Sequence, residues 1–454
     1  MMNSSSEYNP YQVSKDKITA APLGFWSRLR YLGPGFILSA SIVGSGELIA
    51  TTRLGAEAGF VALWVILVSC LAKVAIQLEF GKRAIYSGNS TMQALNSLPG
   101  RKFGKAHWTI WTWLILMSFK IIQYGGIIGG IAIILQILFP AVSIPLWCYL
   151  LAVLVSLLIY KGKYQPIEKY SLLFIGLFAL LTLASVFALQ FTPLRFTFAE
   201  LMSGLIFQLP SGTVLIAIAA FGITGVGGDE IMAYNYWLIE KGYAANTGPD
   251  DNSKDWEIRA KGWIKVMYID AILSMVVYTI MTAAFYLLGA AVLHRQGLLP
   301  AGMEVVETLS RLYTQSLGNW AGIMFLLGGF VVLFSTLFSA LGAWTRMFSD
   351  AFGEIGWLNF QNLKQRHLAI GILAWLFPLS WATLFLVMKT PVLMVAIGGI
   401  GTAVILLIVV YAALYFRYRQ VPDSLIPSKI YDTAFWISVL SIIMVALYGI
   451  YKLL

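Results

Sequence analysis

The stretch FILSASIVGSGELIATTRLGAEAGF, Phe36 to Phe60, decides how this chain is read. It is apolar enough to enter a bilayer, yet Gly44-Ser45-Gly46-Glu47 lies at its middle. Glycines weaken a helix, and lipid offers a carboxylate neither water nor counter-charge. An acid at that depth persists where it faces a cavity or a partner. The segment is therefore expected to unwind near 44–47 and to turn its freed backbone groups toward a polar cavity.

The rest of the chain fits that setting. Of its 454 residues, 59% are hydrophobic and 11% charged, and the mean hydropathy is +0.78. These values belong to an integral membrane protein rather than a soluble domain. A spanning helix needs roughly 20 apolar residues, and about eleven such runs occur by that measure. They lie near 36–55, 60–80, 108–138, 146–160, 168–190, 212–240, 263–290, 320–345, 368–388, 391–416 and 432–453. Such lengths predict an all-α protein, not the short alternating strands of a barrel. Lysine and arginine concentrate on the cytoplasmic side of membrane proteins. With the N-terminus inside, only Arg53, Arg195, Arg295, Arg311, Lys389 and Lys452 fall outside, while Lys73, Lys120 and Lys265 sit in or beside spans. The expected topology is N-in and C-out, in a bacterial-type inner or plasma membrane. The net charge of +10 then reflects a basic inner rim and calls for no nucleic-acid partner.

Residues 1–22 are polar, lack a signal-peptide core and read as a cytoplasmic tail. Cys70 and Cys148 lie inside spans, so they support neither a disulfide framework nor a zinc site. His107, His294 and His367 fall at span ends or in loops and read as ordinary loop histidines. No cofactor is expected.

The sixth run repeats the oddity of the first. IAAFGITGVGGDEIMAYNYWLIEKGY passes through Thr224, Gly225, Val226, Gly227 and Gly228 into Asp229-Glu230 and then resumes as a helix. Two interrupted spans, five apart, form the pattern of an inverted-repeat transporter that holds its substrate at the midplane between the breaks. Glycines in membrane helices also mark close packing, and that reading is preferred for Gly126, Gly129, Gly130, Gly328 and Gly329. At the breaks the carboxylates change the balance. Glu47, Asp229 and Glu230 are the candidate substrate-binding acids, and Gly44, Ser45, Gly46 and 224–228 are the candidate substrate-binding backbone.

LGPGFILSASIV followed by GSGELIATTRLGAEAGFVALW resembles the opening of the Nramp family of divalent-metal transporters. The first span of that family carries Asp-Pro-Gly-Asn and then a Gly-Ala-x-Ala-Gly-Phe turn, which here is Gly55 to Phe60. The resemblance continues into LWVILVSCLAKVAIQLEFGKRAIYSG and the eleven-span plan. It implies a LeuT-like fold: a tail (1–32), two five-span inverted repeats (33–190 and 191–417) and an added span (418–454). Departures fall where the family does its chemistry. Gly44 stands for the first-span metal-binding Asp, and Glu47 for its Asn. The sixth-span Met-Pro-His-Asn block is replaced around Val226 to Glu230, and Tyr124 and Ile127 stand for the third-span Asp and Glu of the proton route. The chain resembles a divergent branch of the family.

Loss of the thioether ligand with gain of carboxylates shifts the centre toward a hard cation, Mg or Mn in character. The glycines at 44, 227 and 228 would leave room for magnesium's waters. Lys120, one turn before Tyr124, would neutralise Glu47 or Glu230, serve as a proton-coupling cation in place of sodium, or meet an anionic substrate. Lys73 could play the same part, and either lysine could instead snorkel to an interface. The helix beginning after Gly228 points its positive end at the centre, so a transporter of a small anion or amino-acid-like solute is the alternative. A membrane-embedded enzyme or sensor is a remote third, because no reacting constellation is present. The partners expected are a small transported ion or solute, a coupling proton or sodium for symport, and the bilayer. The loop Glu240 to Trp263 reads as structural or gating at most, and GMEVVETLSRLY in the loop 291–318 as a surface helix.

Overall fold

The computed structural model describes residues 9–44, 50–299 and 318–453, with Val306, Ser310 and Thr314 between the last two segments. The first run forms two short helices, α1 (Pro34–Ile42) and α2 (Thr52–Ala58). Ser45, Gly46 and Glu47 lie between them, outside the described residues, as does most of the expected surface helix in 291–318. The second run is α3 (Leu63–Ala72) and α4 (Val74–Ser87), with the helical ladder interrupted at Lys73. Next come α5 (Trp108–Leu138), α6 (Ile144–Ile159) and α7 (Tyr164–Leu189). The sixth run is again two pieces, α8 (Val214–Ile223) and α9 (Gly228–Lys241). The chain then continues through α10 (Lys254–Leu288), α11 (Asn319–Ile355), α12 (Leu363–Met388), α13 (Pro391–Tyr415) and α14 (Lys429–Leu453).

Among the described residues, nine helical segments are long and apolar enough to cross a bilayer, and α6 is a shorter apolar helix. One two-residue hairpin, β1 (Lys102–Phe103) with β2 (Ala106–His107), leads into α5. Its His107 is buried between the Pro99 carbonyl and the Thr109 hydroxyl, a satisfied structural position.

Packing sorts the helices into two groups joined at the breaks. One group has α5 against α13, α12 and α11, with α6 against α12. In the other, α10 packs on α1, α3 and α4, and α9 packs on α4 and α1. Small residues set the closest crossings, as expected where apolar lipid gives helices no solvent-driven reason to associate. A Cβ on Gly129 would fall 2.1 Å from the Phe385 ring, and one on Gly126 would fall 2.8 Å from the Pro391 carbonyl. These glycines are packing positions. Most of the surface of α7 and α14 faces outward, toward lipid.

The start of α1 is held from a distance. Pro34 at its first position lacks an N–H, and the Gly33 and Gly35 amides donate to the two carboxylate oxygens of Asp270 at 2.9 and 2.6 Å. A helix N-terminus leaves such amides without intrahelical acceptors, and a carboxylate satisfies both their hydrogen bonds and their dipole. The Tyr234 hydroxyl donates to the same carboxylate at 3.0 Å, so Asp270 on α10 ties α1 to α9.

Candidate functional site

The break in the sixth run begins where α8 stops. Thr224 has an extended backbone (ψ 145°), and Gly225 lies in the left-handed region at φ +64°. A side chain at Gly225 is excluded twice, by that φ and by the Cys70 backbone 2.8 Å from where a Cβ would stand. The Phe221 and Thr224 carbonyls are left without a helical continuation, and an unsatisfied carbonyl in a membrane interior is costly. Lys73 answers both: its ammonium donates to the Phe221 carbonyl and, at 2.6 Å, to that of Thr224. Ser69, one turn earlier on α3, places its hydroxyl 3.0 and 2.9 Å from the same two oxygens. The Thr224 hydroxyl donates to Ser69 Oγ at 2.7 Å. A positive charge thus sits at the negative end of α8.

The other side of the break is acidic. Asp229 and Glu230 occupy the first turn of α9. Glu230 folds back so far that a Cβ on Gly227 would fall 2.4 Å from its Oε2. Lys120 on α5 places Nζ 3.1 Å from Asp229 Oδ1 and donates to Thr402 Oγ1 at 3.0 Å. Thr402 in turn donates to the Gly398 carbonyl at 3.0 Å. Lys73 and Lys120 are 0% and 1% exposed, so neither snorkels to an interface. The ion-pair partner of Lys120 among the described residues is Asp229, rather than Glu230.

Other expected residues take different parts. Tyr124 packs between Trp344 and Trp381 at ring distances of 4.6 and 5.1 Å, with Lys120 Nζ 5.8 Å from its own ring. Val226 and Ile127 are fully buried. The space expected at the glycines is taken by neighbours. A Cβ on Gly44 would fall 1.6 Å from Thr336 Oγ1, one on Gly227 would fall 2.9 Å from Thr402 Cγ2, and one on Gly228 would fall 2.6 Å from Ile405. These glycines serve close approach, not hydration. Ser45, Gly46 and Glu47 lie outside the described residues. Among the described residues no three His, Cys, Asp or Glu side chains gather as a metal cluster.

Four hydroxyl residues and one acid escaped the sequence reading. Ser335 donates to the Ala40 carbonyl near the end of α1 at 3.1 Å, beside Thr336, and Ser69, Thr402 and Asp270 were met above. Ser69 carried a signal, since it lies one helical turn from Lys73 and so shares its face. Nothing local marked the others.

A family model described as Natural resistance-associated macrophage protein-like, Nramp, matches residues 35–452. The chain is 26% identical over 311 residues to the divalent metal cation transporter MntH of Caldanaerobacter subterraneus subsp. tengcongensis, covering 66% of this chain and 68% of that one. A crystal structure of a mutant manganese transporter from Eremococcus coleocola is similar with a TM-score of 0.73 and 16% identity, over 97% of this chain and 91% of that chain. MhsT in complex with L-phenylalanine is similar with a TM-score of 0.58 and 17% identity, over 91% of this chain and 98% of that chain. At those identities the structural likeness shows the fold alone, a LeuT-like one.

Proposed function

The chain belongs to the Nramp family, and from that premise we propose that it is a secondary active transporter of a hard divalent cation, Mg- or Mn-like, working by alternating access at its two broken spans. The observation that carries this reading is the charge at the sixth-run break. The positive end of α9, where an anionic substrate would be expected to sit, is already complemented by Asp229 and Glu230 in its own first turn. The negative end of α8 is filled by the Lys73 ammonium. An incoming anion would meet two acids, whereas an incoming cation would meet carboxylates and backbone carbonyls, which are hard oxygen donors.

In this reading Asp229 and Glu230, with Glu47 from the first break, supply the charged ligands. Residues 44–46 and 224–228 supply backbone. Lys120 is a tethered competitor: a divalent ion reaches Asp229 only as the ammonium withdraws. Two carboxylates on α9 against one nearby ammonium leave a negative charge for a cation or a coupling proton to neutralise. The same reading takes 33–190 and 191–417 as the inverted repeats and places the N-terminus on the cytoplasmic side of a plasma membrane.

The test is uptake of Mn and Mg by proteoliposomes, beside calorimetry of the purified protein with each metal. Binding and uptake should be lost in Asp229→Asn with Glu230→Gln. A protein that takes up neither metal but accumulates bicarbonate or an amino acid would overturn the reading in favour of the solute alternative.

A further inference from the structure

The end of the molecule that carries Asn9 to Tyr11 holds a cavity of about 640 Å³ whose lining includes none of residues 224–230. Its wall is drawn from the N-terminal segment, the residues before α1, the turn between α6 and α7, the end of α9 and the start of α12. Two carboxylates line it, and both are engaged. Glu168 pairs with Lys241. Glu240 is gripped by Arg346 at 2.6 Å and accepts the Tyr11 hydroxyl at 2.6 Å. Basic side chains on the same wall exceed them: Arg30, Lys161, Lys163 and Arg366 join Lys241, with His367 beside them. Arg366 is held by the Phe360 carbonyl and Asn9 Oδ1, both at 3.0 Å, and stacks on the Tyr11 ring at 4.8 Å. Arg30, Lys161 and Lys163 are exposed and form no ion pair with a described residue.

We infer that this cavity is a binding site for a phosphate-bearing anion, which clamps the N-terminal segment and the near ends of the broken spans to α12 and the α6–α7 turn. Three cations from two separate segments line a concave space in which the two described carboxylates are already paired. A phosphate offers several acceptor oxygens and more than one negative charge, which suits donors arriving from different directions. The volume falls within the range of small-ligand sites, about 300–1,000 Å³. The clamp follows from connectivity. Arg30 lies four residues before α1, and Glu240-Lys241 end α9, so both broken spans border the cavity, while Arg366 and Lys161 belong to the other helix group. The site is separate from the break at 224–230 and stands whether or not the transported ion is a metal.

The phosphate has two sources, a lipid headgroup or a soluble anion, and two probes separate them. Full-length protein in a maltoside detergent, which carries no phosphate, is titrated with inorganic pyrophosphate by calorimetry and, in parallel, with short-chain phosphatidic acid. Saturable binding of at least one probe is expected. It should weaken about tenfold, or 1.4 kcal/mol, when Arg30→Gln, Lys161→Gln and Lys163→Gln are combined. These side chains are exposed, so folding should persist, and the single Lys163→Gln variant serves if the triple does not express. Binding of phosphatidic acid alone assigns the site to a lipid headgroup, and binding of pyrophosphate alone assigns it to a soluble anion. A second readout is tryptic cleavage at Lys15 and Lys17, which the bound probe should slow severalfold by holding the adjacent segment. Binding of neither probe, equal binding by the substituted protein, or unaltered cleavage in the presence of a saturating probe would overturn the inference.

Discussion

Removing the Lys120 ammonium is the most direct probe of the centre, and Lys120→Met does so with little change in volume. The ammonium lies 3.1 Å from Asp229 Oδ1, with both side chains buried. At an effective dielectric constant of about 20, two unit charges at that distance attract by about 5 kcal/mol. Part of this offsets the desolvation that both charges already bear, and close charge pairs couple by about 1.5–7 kcal/mol, the lower end applying to an ion pair without a hydrogen bond. A divalent cation competing for Asp229 is relieved of that competition in the variant. Affinity should therefore rise by roughly 10- to 100-fold, since each 1.4 kcal/mol is tenfold.

The same change leaves Asp229 buried and unpaired, a loss of about 3–5 kcal/mol in folding stability. That loss should be recovered as metal is added, because a ligand that binds only the folded state raises its apparent stability. The assay is calorimetry with Mn and Mg on folded, monodisperse protein, followed by thermal unfolding across a metal series. The double variant Lys120→Met with Asp229→Asn should lose the gain. Unchanged or weaker metal binding by folded Lys120→Met would refute the idea that the lysine and the cation share one carboxylate.

Three further outcomes can be checked. Lys73→Met should leave the Phe221 and Thr224 carbonyls short of a charged donor and lower stability by about 2–4 kcal/mol, read as a fall in the unfolding midpoint, while Lys73→Arg recovers part of it. Gly225→Ala should cost about 1–3 kcal/mol through its positive φ and the contact with Cys70; a midpoint equal to the parent protein's would contradict the break geometry. Asp270→Asn should loosen the start of α1 by replacing a two-oxygen acceptor with one, so a cysteine placed at Tyr31 should label faster while its reactivity in the unsubstituted background stays low.

The architecture was legible because membrane insertion writes itself into composition. Long apolar runs predicted the helices, and the Gly-Val-Gly-Gly cluster ahead of Asp229 predicted the interruption, found from Thr224 to Gly227. The glycines at 126 and 129 read as packing positions and are so. Side-chain partnership was less legible. Lys73 and Lys120 stood out as charges in spans, but their partners lie 148 and 282 residues away in sequence for the Phe221 carbonyl and the Thr402 hydroxyl. Spacing along one helix cannot reveal such pairs. Asp270 falls in an ordinary apolar run, and only the placement of α1 against α10 shows why an acid stands there. Absence of a side chain at Gly44 and Gly227 suggested room, whereas close packing fills such space from neighbouring helices.

The two lysines bear on why the protein can reorient without its cargo. A carrier that works by alternating access returns through the membrane interior with its site empty. At that stage unsatisfied carbonyls at the end of α8 and uncompensated acids at the start of α9 would be exposed to a medium that stabilises neither. Here Lys73 satisfies the carbonyls and Lys120 compensates Asp229. The two lysines thus meet the carbonyls at the end of α8 and one of the two acids at the start of α9. On the proposed function, loading would be an exchange in which a cation takes the carboxylate that an ammonium gives up. A soft ion that depends on a thioether gains little from that exchange, because the groups released to it are oxygens. A hard divalent ion gains a full carboxylate and adjoining carbonyls. On the proposed function, selectivity in this chain would rest on what the lysines surrender as much as on the ligands that remain.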